Sequence, residues 1–208
     1  MSKGVPIPPG LGVRRGSLRN SRFRELVPGH IPNWRAFLFC AFLLSTTPAS
    51  AQISKEYQVK AVCLWRLAQF VTWPTNAFEN ASSPIAIGVL GENPFGDLLN
   101  AAVSGETAHG RKLVVQHYPR MSDIKSCHIL FVSASEAGHV QEVLTELAGK
   151  STLTVGDFEG FARWKGGMIA FVTQQNKVKL QINRQAATNA RLELDPRLLR
   201  AAALIDDQ

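Results

Sequence analysis

Cysteine is scarce in this 208-residue chain, with only Cys40, Cys63 and Cys127 and no C-x-x-C pair. That excludes a thioredoxin-type centre, a zinc knuckle and a disulfide-dense scaffold. Catalytic signatures are equally scarce. There is no G-x-S-x-G elbow for an activated serine and no H-E-x-x-H helix for a zinc hydrolase. The five histidines, His30, His109, His117, His128 and His139, form no i, i+4 pair and have no carboxylate at ligand spacing. Neither a metal nor a cofactor is therefore expected. The chain also lacks internal repeats, low-complexity tracts and a long linker.

What is abundant is positive charge, +7 overall, which at first suggests a nucleic-acid partner. The distribution removes that reading. Seven of the 23 basic residues lie before residue 52, with Glu25 as the only acid there. The rest of the chain carries 16 basic and 15 acidic residues and is nearly neutral.

The basic segment belongs to a leader. Arg14, Arg15, Arg19, Arg22, Arg24 and Arg35 precede an apolar stretch, Ala36 to Ser45, and then Ala49-Ser50-Ala51. A basic region, an apolar core and alternate small residues are the three parts of a secretory signal. The apolar stretch is shorter than the roughly 17–25 residues that span a bilayer. The expectation is a leader over 1–51, cleavage near Ala51/Gln52 and a mature domain over 52–208 in the periplasm, with no membrane span left. In that oxidising compartment Cys63 and Cys127 remain, as a disulfide or as two buried thiols.

In the mature segment, Tyr57, Ala61, Leu64, Ala68 and Val71 recur at helical spacing, which predicts a helix with Ser54 as N-cap and Pro74 as its stop. Apolar runs at 84–91, 111–118, 127–135 and 151–157 read as strands, with helices at 93–103 and 137–149 between them. Residues 167–174 and 177–183 flank Gln175-Asn176 as an antiparallel hairpin. Two short helices close the chain. Alternating strands and helices imply a three-layer α/β/α domain. Its mostly parallel sheet should have five to six strands, near the flavodoxin-like order, with the hairpin as its antiparallel edge.

Two places invite a function. The loop Gly91-Glu92-Asn93-Pro94-Phe95-Gly96-Asp97 follows the first strand, and Ser133 to Ser135 follow the third. Open α/β sheets bind ligands at such carboxyl ends. Gly91 and Gly96 have P-loop spacing, but the lysine of a P-loop is absent. Gly91, Glu92, Asn93, Gly96, Asp97, Ser133 and Ser135 are therefore candidate ligand contacts, or simply turn residues. The second place is Phe158, Phe161, Arg163 and Trp164, aromatic and basic residues that suit a partner surface or a core-covering turn.

In their order and spacing, these segments resemble the YfiR family of exported bacterial proteins. The likeness runs from "EYQVKAVCLWRLAQFVTWP", with its aromatic-x-x-Trp-Pro ending, through "IAIGVLGENPFGDLL", "GRKLVVQHY", "CHILFVSASE" and "LTVGDFEGFARWKGGMIAFV" to "VKLQINRQAATNARLELDPRLLRAA". The resemblance implies a periplasmic, dimeric, non-enzymatic regulator that restrains a membrane-bound diguanylate cyclase and so holds down cyclic di-GMP and biofilm formation. It also implies redox control through disulfides. This chain departs there, because no cysteine follows Cys127.

Two functions of different class follow. One is a regulator that binds a membrane signalling protein through the Phe158 to Trp164 stretch and the hairpin edge. The other is a small-ligand receptor using the glycine loop and Ser133 to Glu136. A hydrolase lacks a visible nucleophile–base pair.

Overall fold

The computed structural model describes residues 55–163 and 165–205. The leader, its cleavage site, Ser54 and Trp164 lie outside the described residues.

Helix α1 (Lys55–Leu67) opens the described chain. It ends seven residues before Pro74, earlier than the apolar periodicity predicts. Ala68, Gln69 and Phe70 bond back to Trp65, Arg66 and Leu67 in tight turns. Val71–Thr72 then forms β1, which pairs with β9 (Glu193–Leu194) in a small antiparallel sheet. Long-range pairing thus takes residues that local spacing assigns to the helix.

The main sheet holds β2 (Ile85–Leu90), β3 (Thr107–Ala108), β4 (Arg111–Tyr118), β5 (Ile129–Val132), β6 (Leu153–Gly156), β7 (Ile169–Gln174), β8 (Lys177–Asn183) and β10 (Ala203–Ile205). Their spatial order is β10-β8-β7-β6-β5-β2-β4-β3. The five strands β4-β2-β5-β6-β7 are parallel and follow the flavodoxin-like order, with the switch point between β2 and β5. β7 and β8 form the expected hairpin, and Gln175 and Asn176 both take positive φ (50° and 58°) as a two-residue primed turn requires. The sheet has eight strands rather than five to six. The additions, β3 and β10, are two and three residues long, too short for a periodic signal. β10 pairs parallel to β8, so the hairpin is not the edge; β10 is.

The shorter helices are α2 (Leu98–Val103), α3 (Val140–Glu146), α4 (Arg184–Asn189) and α5 (Pro196–Ala201). Strand residues alternate between two cores, as a period of two dictates. Ile85, Ile87, Ile129, Phe131, Leu153, Val155 and Ile169 face α1, α2, α4 and α5. Ala86, Leu90, Leu130, Val132 and Ala170 face α3 and the connection that follows β6. β2, β5 and β6 are buried along their whole length, which explains the unbroken apolar sequence of β2 and β5.

Candidate functional site

The connection from β6 to β7, residues 157–168, is built on a buried ion group that no local motif announces. Asp157 follows the last residue of β6, and its side chain is 2% exposed. Its Oδ2 accepts from Tyr57 Oη at 2.7 Å and from Lys60 Nζ at 2.9 Å, both on α1. Lys60 also pairs with Glu56 at 2.6 Å, and Glu56 accepts from the Thr173 hydroxyl of β7 at 2.7 Å. Hydrogen bonds from Lys60 and Thr173 hold the Glu56 carboxyl below its ordinary value. Burial, then the hydrogen bond to Asp157, pushes the Tyr57 phenol up. The other oxygen of Asp157, Oδ1, is buried without a hydrogen-bond partner. One lysine thus ties α1 to β6, and Glu56 ties it to β7. Burying these charges is tolerable only because they are paired.

Beyond Asp157 the aromatic residues divide. Phe161 is fully buried and belongs to the core beside α3. Its ring fills the space a side chain would need at Gly156 and Gly167; a Cβ on Gly156 would sit 2.6 Å from Cγ of Phe161. The two glycines are there for that close approach. Phe161 therefore leaves the predicted partner surface. Sequence reading paired it with Phe158 by type, and the two rings do touch, but they differ in burial. Phe158 is half-buried, edge-on to Phe161 at 5.1 Å, and Arg163 is exposed. Phe158, Glu159 and Arg163 form one wall of an open cleft of about 420 Å³, with Val172, Thr173 and Gln181 of the hairpin opposite.

The glycine loop behaves differently. The structure does bring it against the loop after β5, at the switch point. The Glu92 N–H donates to Ser135 Oγ at 3.0 Å, and His117 Nε2 lies 2.7 Å from the Gly91 carbonyl. Gly91 has φ +84°, and a Cβ there would fall 2.8 Å from Glu136 Cγ and inside contact with Ser135 Oγ. Asn93 folds back on its own loop, accepting from the Phe95 N–H and donating to the Gly96 carbonyl. Ser133 is buried, while Asp97 is exposed and makes no side-chain cap for α2. Ser135 and Glu136 thus lie against Gly91, while Glu92, Asn93, Asp97 and Ser135 stay exposed.

The bridge considered between Cys63 and Cys127 is not formed. Both are free thiols, Cys63 packed against the α1-side core and Cys127 in the core on the other face of the sheet. Burial pushes both thiols up, Cys127 to about 12, so neither is an activated nucleophile. Among the described residues no three His, Cys, Asp or Glu side chains gather to hold a metal ion. No described helix is long and apolar enough to cross a membrane.

A parallel sheet in flavodoxin-like order, extended by a C-terminal hairpin, defines an α/β class with many functions. Comparison narrows it: residues 57–203 match the YfiR/HmsC-like family, and the chain belongs to that family. No curated protein matches. Among solved structures it is similar to a conserved domain protein from Vibrio cholerae O1 biovar El Tor, at 14% identity and a TM-score of 0.43. That match covers 58% of this chain and 54% of the other, so this chain spans about half that protein's length.

Proposed function

We propose that this protein is a periplasmic, non-enzymatic regulator that binds and restrains the periplasmic part of a membrane signalling protein of the diguanylate cyclase type. The observation that carries the reading is the family match over residues 57–203. The mature unit would be residues 52–208, released by cleavage near Ala51/Gln52. Its docking surface is the lip of the β6–β7 connection, where the half-buried Phe158 and the exposed Arg163 face a partner over the cleft they share with the hairpin. A half-buried aromatic ring beside a free-standing arginine is the composition that anchors protein interfaces. Restraint then follows from differential binding: the regulator holds the partner in whichever state presents the complementary surface. A rigid base favours this, because an interface ordered in advance loses less entropy on binding. The Lys60–Asp157 pair and the Phe161 ring supply that base.

The test is crosslinking of the tagged chain in the periplasm of its host, followed by mass spectrometry. Recovery of an inner-membrane cyclase that is lost with Arg163→Glu supports the reading. Recovery unaffected by Arg163→Glu removes this surface. No specific partner under reducing and oxidising conditions removes the regulator.

A further inference from the structure

A second cleft, of about 530 Å³, opens at the amino ends of β2 and β4, away from the Asp157 end of the sheet. That volume is in the range of small-molecule sites. Trp73, Phe78 and Ile85 give it apolar walls, and Arg111, His109 and Glu79 supply the charged and polar groups.

Arg111 is held unusually firmly for a half-buried cation. Its guanidinium lies over the Phe78 ring, with Cζ 3.8 Å from the centroid. Nη1 donates to the carbonyls of Asn80 (2.9 Å) and Ser83 (2.7 Å). Phe78 in turn stacks on His128, at 4.4 Å and 18°. His128 is itself fixed: Nδ1 accepts from the Ala86 N–H at 3.1 Å, and Nε2 lies 3.1 Å from the Ala77 carbonyl and donates to it. That pattern is a neutral imidazole, so the stack carries one charge, that of Arg111. Among the described residues no carboxylate lies within ion-pair distance of that charge. A guanidinium aligned by its surroundings retains donors in a planar fork suited to a carboxylate.

The neighbouring hairpin adds a second observation. β3 and β4 are joined by His109 and Gly110, both at positive φ (52° and 74°). Such a turn favours asparagine, aspartate or glycine at its first position, and histidine is among the other side chains that take this conformation. The turn sets the His109 ring at the cleft, with Nε2 3.1 Å from the Val71 carbonyl.

We infer that this cleft binds a small organic monocarboxylate with an apolar or aromatic body, its carboxylate on Arg111 and its body against the accessible edges of Trp73 and Phe78. Glu79 at the same cleft disfavours a second negative charge on the ligand. The site stands apart from the partner surface, and neither reading requires the other.

The test uses the ¹⁵N-labelled chain expressed with its own leader and purified as the cell leaves it. It is titrated with phenylacetate and, separately, with phenylacetamide, which has the same shape and no charge. Phenylacetate is expected to shift the Trp73 indole N–H and the amides of residues 72–75 and 109–111 in a saturable manner. Phenylacetamide should bind at least about tenfold more weakly. Arg111→Lys, which keeps the charge and loses the fork, should weaken phenylacetate by about tenfold. Because Arg111 also holds the 80–83 turn, His109→Asn is the second variant: it suits the turn, removes the ring and should weaken binding by about threefold. Equal binding of acid and amide, shifts confined to residues outside the cleft, or no saturable shift by about 10 mM phenylacetate would overturn the inference.

Discussion

Two regions lie at the carboxyl ends of the parallel strands, and they are made of different materials. At the switch point, Gly91 to Asp97 meets Ser133 to Glu136 through neutral contacts, a backbone N–H on a hydroxyl and a glycine under a glutamate side chain. After β6, the chain is pinned by a buried lysine–aspartate pair and one fully buried ring, and an open cleft remains beside it. At the position where α/β sheets ordinarily take a ligand, the two loops are drawn together by their own contacts. The place where the chain spends buried charge is left open. Topology marks where a site can form, and side-chain packing decides whether the space is still there.

That contrast can be broken most severely at Phe161. Phe161→Ala should cost about 3–5 kcal/mol in urea unfolding, because the ring is fully buried and close-packed. A loss below about 1 kcal/mol would mean the connection is not anchored there. Next in size is Asp157→Ala, which strands Lys60 in the interior with only the partly exposed Glu56. It should cost about 3 kcal/mol, and adding Lys60→Met should restore much of that. No recovery in the double variant would show that the pair is not the source of the loss.

The switch-point loop should yield a smaller effect. Gly91→Ala combines positive φ with a collision against Ser135 and Glu136 and should cost about 1–3 kcal/mol, partly relieved by Ser135→Gly.

Acid should separate the two loops further. The Glu56 carboxyl is held below its ordinary 4.5, so its contribution to stability is complete above that pH. It is lost as pH falls from 4.5 through the lower folded value. Glu56→Gln should flatten that part of the stability–pH curve, and an unchanged curve would sink the assignment. The smallest structural effect belongs to Arg163→Glu, which should leave the melting temperature unchanged while abolishing recovery of the partner.

Much of the fold was legible before any coordinates. The runs at Ile85–Leu90 and Ile129–Val132 are apolar at every position because both faces of those strands are buried. The Gln175-Asn176 turn and the flanking strands were equally plain, since that turn is a local event. The strand β1 was not legible. Val71 and Thr72 continue the helical periodicity of α1 and are claimed by Glu193 and Leu194, more than a hundred residues away. The strand β10 failed for a different reason: its three residues are too few to show a period.

The candidate site was half legible. Phe158 and Phe161 look alike in sequence, yet one lines a cleft and the other fills the core. The Lys60–Asp157 pair had no signal at all, being separated by 97 residues. Arg111 and His109 read as ordinary strand and loop residues, and only their meeting with Trp73 and Phe78 makes a cleft.

By itself the sequence determined the class of sheet, the order of most elements and the family, because periodicity, turn chemistry and motif order are properties of neighbours along the chain. Which loops meet, which aromatic is buried, and the separation of Cys63 from Cys127 by the thickness of the sheet were decided only in the tertiary structure. Those outcomes depend on contacts between distant segments, and the free energy of such a contact is set by the shape and charge of both partners once the fold has brought them together.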